Sequence, residues 1–137
     1  MTSSLAGGCQ CGAVRYAISD APRALYVCHC RECQKQSASA FGVSLMVASA
    51  DFRLTRGAVK SWTRVADSGR RRRCLFCAEC GMRLWHEAEP PEGTLAVKGG
   101  SLDVPPDLST ATHIWVSRKL AGVVIPEGRP RFEEEPD

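Results

Sequence analysis

The chain has 137 residues, of which 44% are hydrophobic and 24% charged, with a formal net charge of +3, a composition that suits one ordinary globular domain. No stretch approaches the roughly 18 apolar residues of a membrane span and no repeat recurs at a solenoid period. A charge this small gives no reason to expect nucleic acid as a partner. Residues 1–137 are therefore read as a single unit, with a core over 5–126 and a polar, Pro-rich tail over 127–137 that is expected to be mobile. Met1 leads straight into Thr2, Ser3 and Ser4, without the basic and apolar regions of a signal peptide, so a reducing cytoplasm is the expected location.

In chain order, residues 13–18 place Val14, Tyr16 and Ile18 on one side of a period-two pattern and predict a strand. Asp20, Ala21 and Pro22 predict a turn, and Leu25 to Val27 is a short apolar run. Residues Arg31 to Ser37 lack Gly, Pro and β-branched side chains, which predicts a helix of about two turns. Phe41 to Val47 reads as a buried strand, Asp51 to Gly57 as a turn and short strand, and Ala58 to Val65 as a half-solvated strand. Asp67, Ser68 and Gly69 predict a hairpin turn that leads into Arg70 to Arg73. Strands are expected over Met82 to Glu87, Thr94 to Val97 and Thr112 to Ser117, with Pro105 and Pro106 in a long loop. Many short strands and one helix predict an all-β domain of coiled sheets.

The eight cysteines fall into three tight clusters: Cys9 and Cys11, then Cys28, Cys30 and Cys33, then Cys74, Cys77 and Cys80. Neighbours this close can aim two sulfurs at one ion at about 2.3 Å, whereas a disulfide between them is strained and closes almost no loop. The clustering therefore predicts zinc rather than a disulfide framework. Each of the pairs Cys9/Cys11 and Cys77/Cys80 is followed by a glycine, Gly12 or Gly81, which permits the tight turn of a metal knuckle. Together they would make one closed four-thiolate site of structural role, with Cys74 as a competing ligand.

Cys28, Cys30 and Cys33 supply three thiolates and leave a tetrahedral ion one position short. The fourth position is either open, as in a catalytic zinc, or closed by His29, His86, His113 or Cys74. Three thiolates outweigh the charge of the dication and blunt it as a Lewis acid, so the site suits a soft fourth ligand such as another thiolate. Carbon–sulfur chemistry on a small thiol follows from that softness.

The order Gly8-Cys9-Gln10-Cys11-Gly12, Cys28-His29-Cys30-Arg31-Glu32-Cys33-Gln34-Lys35 and Phe76-Cys77-Ala78-Glu79-Cys80-Gly81, followed by His113-Ile114-Trp115, resembles the glutathione-dependent formaldehyde-activating enzymes and their relatives around centromere protein V. The resemblance runs from about Gly7 to Trp115. It implies a zinc-containing β-tent of the broad zinc-ribbon class, with two zinc ions per chain. One would be a structural zinc on Cys9, Cys11, Cys77 and Cys80, the other a catalytic zinc on Cys28, Cys30 and Cys33. It also implies a carbon–sulfur lyase similar to S-(hydroxymethyl)glutathione synthase, acting on a small thiol such as glutathione and a small aldehyde such as formaldehyde. The chain departs from its relatives in two places: Cys74 stands where they commonly carry arginine, for which Arg73 is a candidate replacement, and Ala38 stands where they carry glycine.

The remaining candidates have plainer readings beside the sharper ones. Cys74 is expected to pack, because an odd separation from Cys77 along a strand sends the two side chains to opposite faces. His29 is expected to support its cysteine neighbours, and His86 and His113 to be structural, with a general base as the sharper alternative for either. Trp62, Trp85 and Trp115 are expected to fill the core or line a cleft. The arginine run could meet the carboxylates of a thiol ligand, or phosphate. The latter carries the alternative function, a zinc-ribbon module docking nucleic acid or a protein through Arg70 to Arg73. An acidic patch, Glu133 to Glu135, closes the chain.

Overall fold

The computed structural model describes residues 5–66 and 68–136. Residues 1–4, on which the reading of the N-terminus rests, and Asp67 of the expected hairpin turn lie outside them. The described chain is mainly β, in two open sheets with one α-helix. Strands β1 (Leu5–Gly8), β2 (Arg15–Ile18) and β5 (Phe52–Arg56) form a small antiparallel sheet in the order β1-β2-β5. The larger sheet has seven strands: β3 (Ala24–Cys28), β4 (Gly42–Ala48), β6 (Val59–Val65), β7 (Arg71–Cys77), β8 (Arg83–Glu89), β9 (Thr94–Lys98) and β10 (Thr112–Ile114). Their spatial order is β10-β3-β4-β9-β8-β7-β6, antiparallel except for the β10/β3 edge.

The period-two pattern of β2 does what the sequence implies, since Val14, Tyr16 and Ile18 are all but fully buried. They pack between the sheets against Leu45, Val47, Leu75, Leu84, Trp85, Leu95 and Val97. Phe52 joins the layers, with its ring centroid 5.1 Å from Tyr16 and 4.7 Å from Trp85, the spacing at which aromatic pairs add to simple area burial. The Tyr16 hydroxyl, carried into this core, shares a 2.6 Å hydrogen bond with Ser101 Oγ. Burial pushes its pKa up to about 12.

The helix α1 spans Arg31–Ser37, and its N-cap is Cys30, whose sulfur accepts the N–H of Cys33 at 3.3 Å. A residue in the left-handed region stops it: Ala38 has φ 52° and ψ 40°.

Two expectations differ from the structure, at the last strand and at the tail. The last strand ends at Ile114, three residues early, because Trp115 turns the chain with φ 56° into a 3-10 turn over Val116–Arg118. Pro105 and Pro106 lie in a loop as expected, between 3-10 turns at Gly99–Ser101 and Leu108–Thr110. The tail expected to be mobile lies along β10: the His113, Trp115 and Val116 amides donate to the carbonyls of Pro130, Glu134 and Phe132, and Phe132 N–H returns a bond to His113. Polar composition did not reveal a segment that pairs through its backbone.

For a residue with a Cβ, the left-handed conformation costs roughly 1–2 kcal/mol, and glycine's looser unfolded state returns about 0.4–1 of that. Ala38→Gly is therefore expected to stabilise the protein by about 0.5–1 kcal/mol, read as a rise of a few degrees in melting temperature. A lower melting temperature would show that the cap is not strained.

Candidate metal centre and polar cleft

Cys9 and Cys11 sit in the turn between β1 and β2, Cys77 ends β7, and Cys80 lies in the turn between β7 and β8. The fold brings all four sulfurs within 4.8 Å of one another. Cys9 and Cys11 Sγ are 3.5 Å apart and Cys11 and Cys77 Sγ 3.8 Å, close to the sulfur spacing of about 3.8 Å that a tetrahedron of 2.3 Å metal–sulfur bonds requires. Backbone amides point at the sulfurs, Val14 N–H at Cys9 (3.2 Å), and Glu79 and Cys80 N–H at Cys77 (3.3 and 3.4 Å). Gly12 and Gly81 take φ 83° and 77°, the conformation that lets the chain fold back behind each pair. Donor set, spacing and amides all fit a soft metal ion, so this cluster could hold one.

Cys28 ends β3, Cys30 caps α1 and Cys33 lies in its first turn, so a strand and a helix hold three sulfurs within 4.8 Å. Among the described residues no fourth His, Cys, Asp or Glu joins them. The alternative closing ligands are elsewhere: His29 Nε2 and His113 Nδ1 hydrogen-bond each other at 2.9 Å, and Cys74 Sγ accepts from Gln36 Nε2 at 3.5 Å. Three thiols this close resist joint ionisation. Hydrogen bonds from Cys28 and Cys33 lower the Cys30 pKa to about 2, while the same crowding by Cys30 and Cys33 pushes Cys28 up. Only a cation would let all three carry charge together, so this cluster also fits a metal ion.

The sequence alone did not reveal what surrounds the three thiols. Strand alternation gives the seven-stranded sheet a second, polar face on which Ser44, Lys98, His86 and Cys74 stand on successive strands β4, β9, β8 and β7. Lys98 Nζ donates to Ser44 Oγ at 2.9 Å. A Cβ at Gly42 would sit 3.2 Å from Cys33 Cβ and 3.5 Å from Lys98 Nζ, so the lysine comes up beside the cysteine cluster where glycine leaves room. Burial and the Arg83 charge lower the Lys98 pKa, against the opposing pull of the Cys33, Cys28 and Cys74 thiols. Lys98 was legible only as the polar end of the otherwise apolar strand Thr94–Lys98.

Other candidates resolve plainly. Cys74 is buried and outside both clusters, as its strand spacing predicts. Trp85 is core, while Trp62 is 58% exposed and Trp115 Nε1 donates to Glu135 at 2.9 Å. His29 and His113 are fully or nearly buried and stacked, and burial, with the nearby His113 and Lys119 charges, lowers the His29 pKa to about 4. The arginine run is spoken for: Arg70, Arg71 and Arg73 reach Glu92, Glu89 and Glu87 at 3.3, 3.5 and 3.3 Å. Arg73 pairs with Glu87 on the face of β7 opposite Cys74.

The chain matches the family model "Glutathione-dependent formaldehyde-activating enzyme" over residues 4–118. It is also similar in fold to a crystal structure of a Rhodobacter sphaeroides protein, with 18% identity and a TM-score of 0.55 over 93% of this chain and 98% of that one. At that identity the likeness speaks for the fold alone.

Burial, together with the charges of Lys98, Arg64, Arg83 and Arg72, lowers the His86 pKa from 6.5 to about 3. The unfolded chain takes up a proton there as pH falls below about 6.5, and the native state refuses it until about 3, so stability is lost progressively across that window. His86→Gln should therefore lose less melting temperature than the wild type between about pH 6.5 and about pH 4. Parallel losses in the two proteins would contradict the burial of a neutral ring.

Proposed function

The chain belongs to the glutathione-dependent formaldehyde-activating enzyme family, and from that premise we propose that it joins a small thiol, glutathione or a near analogue, to a small aldehyde such as formaldehyde, or cleaves the adduct. In the forward direction a sulfur–carbon bond forms, the carbonyl π bond opens, and the thiol proton ends on the former carbonyl oxygen. The reaction class is that of a carbon–sulfur lyase. The observation that carries this reading is the three-cysteine cluster, which no fourth ligand closes among the described residues.

Cys28, Cys30 and Cys33 would hold a zinc ion, and Cys9, Cys11, Cys77 and Cys80 a second, structural one. Zinc bound by three thiolates supplies one accessible position of soft character, which favours a thiol in its thiolate form. The protein's own part is to mount those cysteines rigidly, two on α1 and its cap and one on β3, and to set Lys98 beside them. An ammonium there favours negative charge on an incoming sulfur or on the oxygen that forms from the aldehyde. Cys28 is buried at the end of β3, while Cys30 and Cys33 stay part-exposed. All eight cysteines are free thiols, which suits a reducing, cytoplasmic setting. A nucleic-acid-binding function through Arg70 to Arg73 lacks comparable support, since three of these arginines already face glutamates.

The two clusters should respond oppositely to mutation. Serine at position 30 keeps an N-cap oxygen for α1, so Cys30→Ser is expected to melt near the wild type and to lose adduct formation by about 100-fold or more, the scale of losing a transition-state stabiliser. Cys80→Ala is expected to be insoluble or unfolded, because structural metal binding is part of the folding free energy. Full activity in Cys30→Ser would refute the catalytic assignment, and a normally melting Cys80→Ala the structural one.

A further inference from the structure

The helix α1 buries one side chain, and it is polar: Gln34, 5% exposed. The inward position of a helix ordinarily takes an apolar residue, because a buried amide costs free energy unless its polar atoms find partners. Here both ends of the amide do. Gln34 Nε2 donates to the carbonyls of His29 at 2.7 Å and Arg118 at 3.0 Å, and Oε1 accepts from Arg31 Nη1. Two acceptors on one side and a guanidinium on the other also fix which end of the amide carries the nitrogen.

What those bonds hold is the path between the cysteines. His29 lies between Cys28 and Cys30, so the two peptide planes that flank it set how their sulfurs stand to each other. The first plane is fixed by His29 N–H, which donates to the Ile114 carbonyl at 3.0 Å, and the second by the His29 carbonyl, which accepts from Gln34. Rotation of either plane would swing a sulfur away. The ring of His29 adds a third anchor, through Nε2 to His113 Nδ1 at 2.9 Å. Because Gln34 follows Cys33 on α1, the same side chain also ties the third sulfur to the other two.

The second acceptor joins this cluster to the body of the protein. Arg118 closes the 3-10 turn that follows β10, and the chain end holds that turn in place, with Val116 and Ser117 N–H donating to the Phe132 and Glu133 carbonyls. The four-cysteine cluster is organised differently, by amides of its own turns, from Val14, Glu79 and Cys80.

We propose that Gln34 is a positioning residue for the three-cysteine cluster: without itself binding the ion, its carboxamide sets the sulfur spacing that makes Cys28, Cys30 and Cys33 one metal site. This inference rests on the metal reading of that cluster given above. Groups that orient metal ligands in this way typically contribute about 10- to 100-fold in metal affinity.

Zinc titration against a chromophoric chelator, with cobalt absorption spectra of the same proteins, tests it. Gln34→Met keeps the length of the side chain and removes its donors. In that variant the three-cysteine site is expected to bind zinc about 10- to 100-fold more weakly and to show shifted cobalt bands, while the four-cysteine site keeps wild-type affinity. Tyr16→Phe is the control for stability alone: it removes a 2.6 Å core hydrogen bond with Ser101 and is expected to lower the melting temperature while leaving both metal sites unchanged. Wild-type affinity and spectrum in Gln34→Met overturn the proposal. Loss of metal from both clusters together, or a Tyr16→Phe protein that weakens the three-cysteine site as much, also overturns it, since either reduces Gln34 to general stability. If Gln34→Met fails to fold, Gln34→Asn decides, because it retains an amide one methylene too short to reach both carbonyls. Selective weakening of the three-cysteine site in Gln34→Asn supports the proposal, and wild-type affinity overturns it. A wild-type protein that takes up only one metal per chain overturns the metal reading itself, and the proposal with it.

Discussion

One sheet with two chemically opposite faces carries the rest of the structure. Leu45, Leu75, Trp85, Leu95 and Val97 face the small sheet and form the core, while Ser44, Cys74, His86 and Lys98 alternate with them on the other side. Because side chains alternate with period two, a one-residue slip of any central strand would exchange the faces and drive lysine or histidine into the core. Apolar burial on one face therefore fixes the polar constellation on the other. The free energy that holds Lys98 and Arg83 partly dehydrated comes from packing elsewhere in the same strands.

The cysteine clusters use this sheet in different ways. The four-cysteine cluster ties the turn after β1 to the turn after β7, joining the small sheet to the large one through sulfurs 3.8 Å apart and 66 positions apart in the chain. Its glycines in left-handed geometry and its inward-pointing amides belong to the turns themselves. The three-cysteine cluster sits where a strand passes into a helix, and its middle sulfur doubles as the helix cap. A ligand set that also satisfies a helix N-terminus positions its sulfurs by backbone geometry, leaving little freedom for the cluster to collapse or to recruit a fourth ligand.

How much of this was legible in the sequence depended on the range of the signal. The helix Arg31–Ser37 was readable to the residue, because composition and the cysteine before it are local, and the buried triplet Val14, Tyr16 and Ile18 was visible as alternation. Both cysteine groupings were readable too, since metal-ligand spacing is a short-range pattern that the fold only had to bring together. Strand β1 was not, because Leu5 to Gly8 is half glycine and its pairing with β2 is a tertiary fact. Lys98 was missed for the same reason: it is an ordinary surface-type residue until strand order places it beside the cysteine cluster. The arginine run misled in the other direction, offering charge that glutamates on β8 and the following loop had already taken up.

The proposed chemistry requires that the three-cysteine cluster be a metal site with room for a thiol. The measurement that tests this most directly is the absorption of cobalt-substituted protein, with metal content determined on the same sample, during titration with glutathione. Two metals per chain, with thiolate-to-cobalt bands that shift as glutathione is added while half of the cobalt signal stays constant, is the expected result. A single metal, or two whose spectrum glutathione leaves untouched, would contradict it.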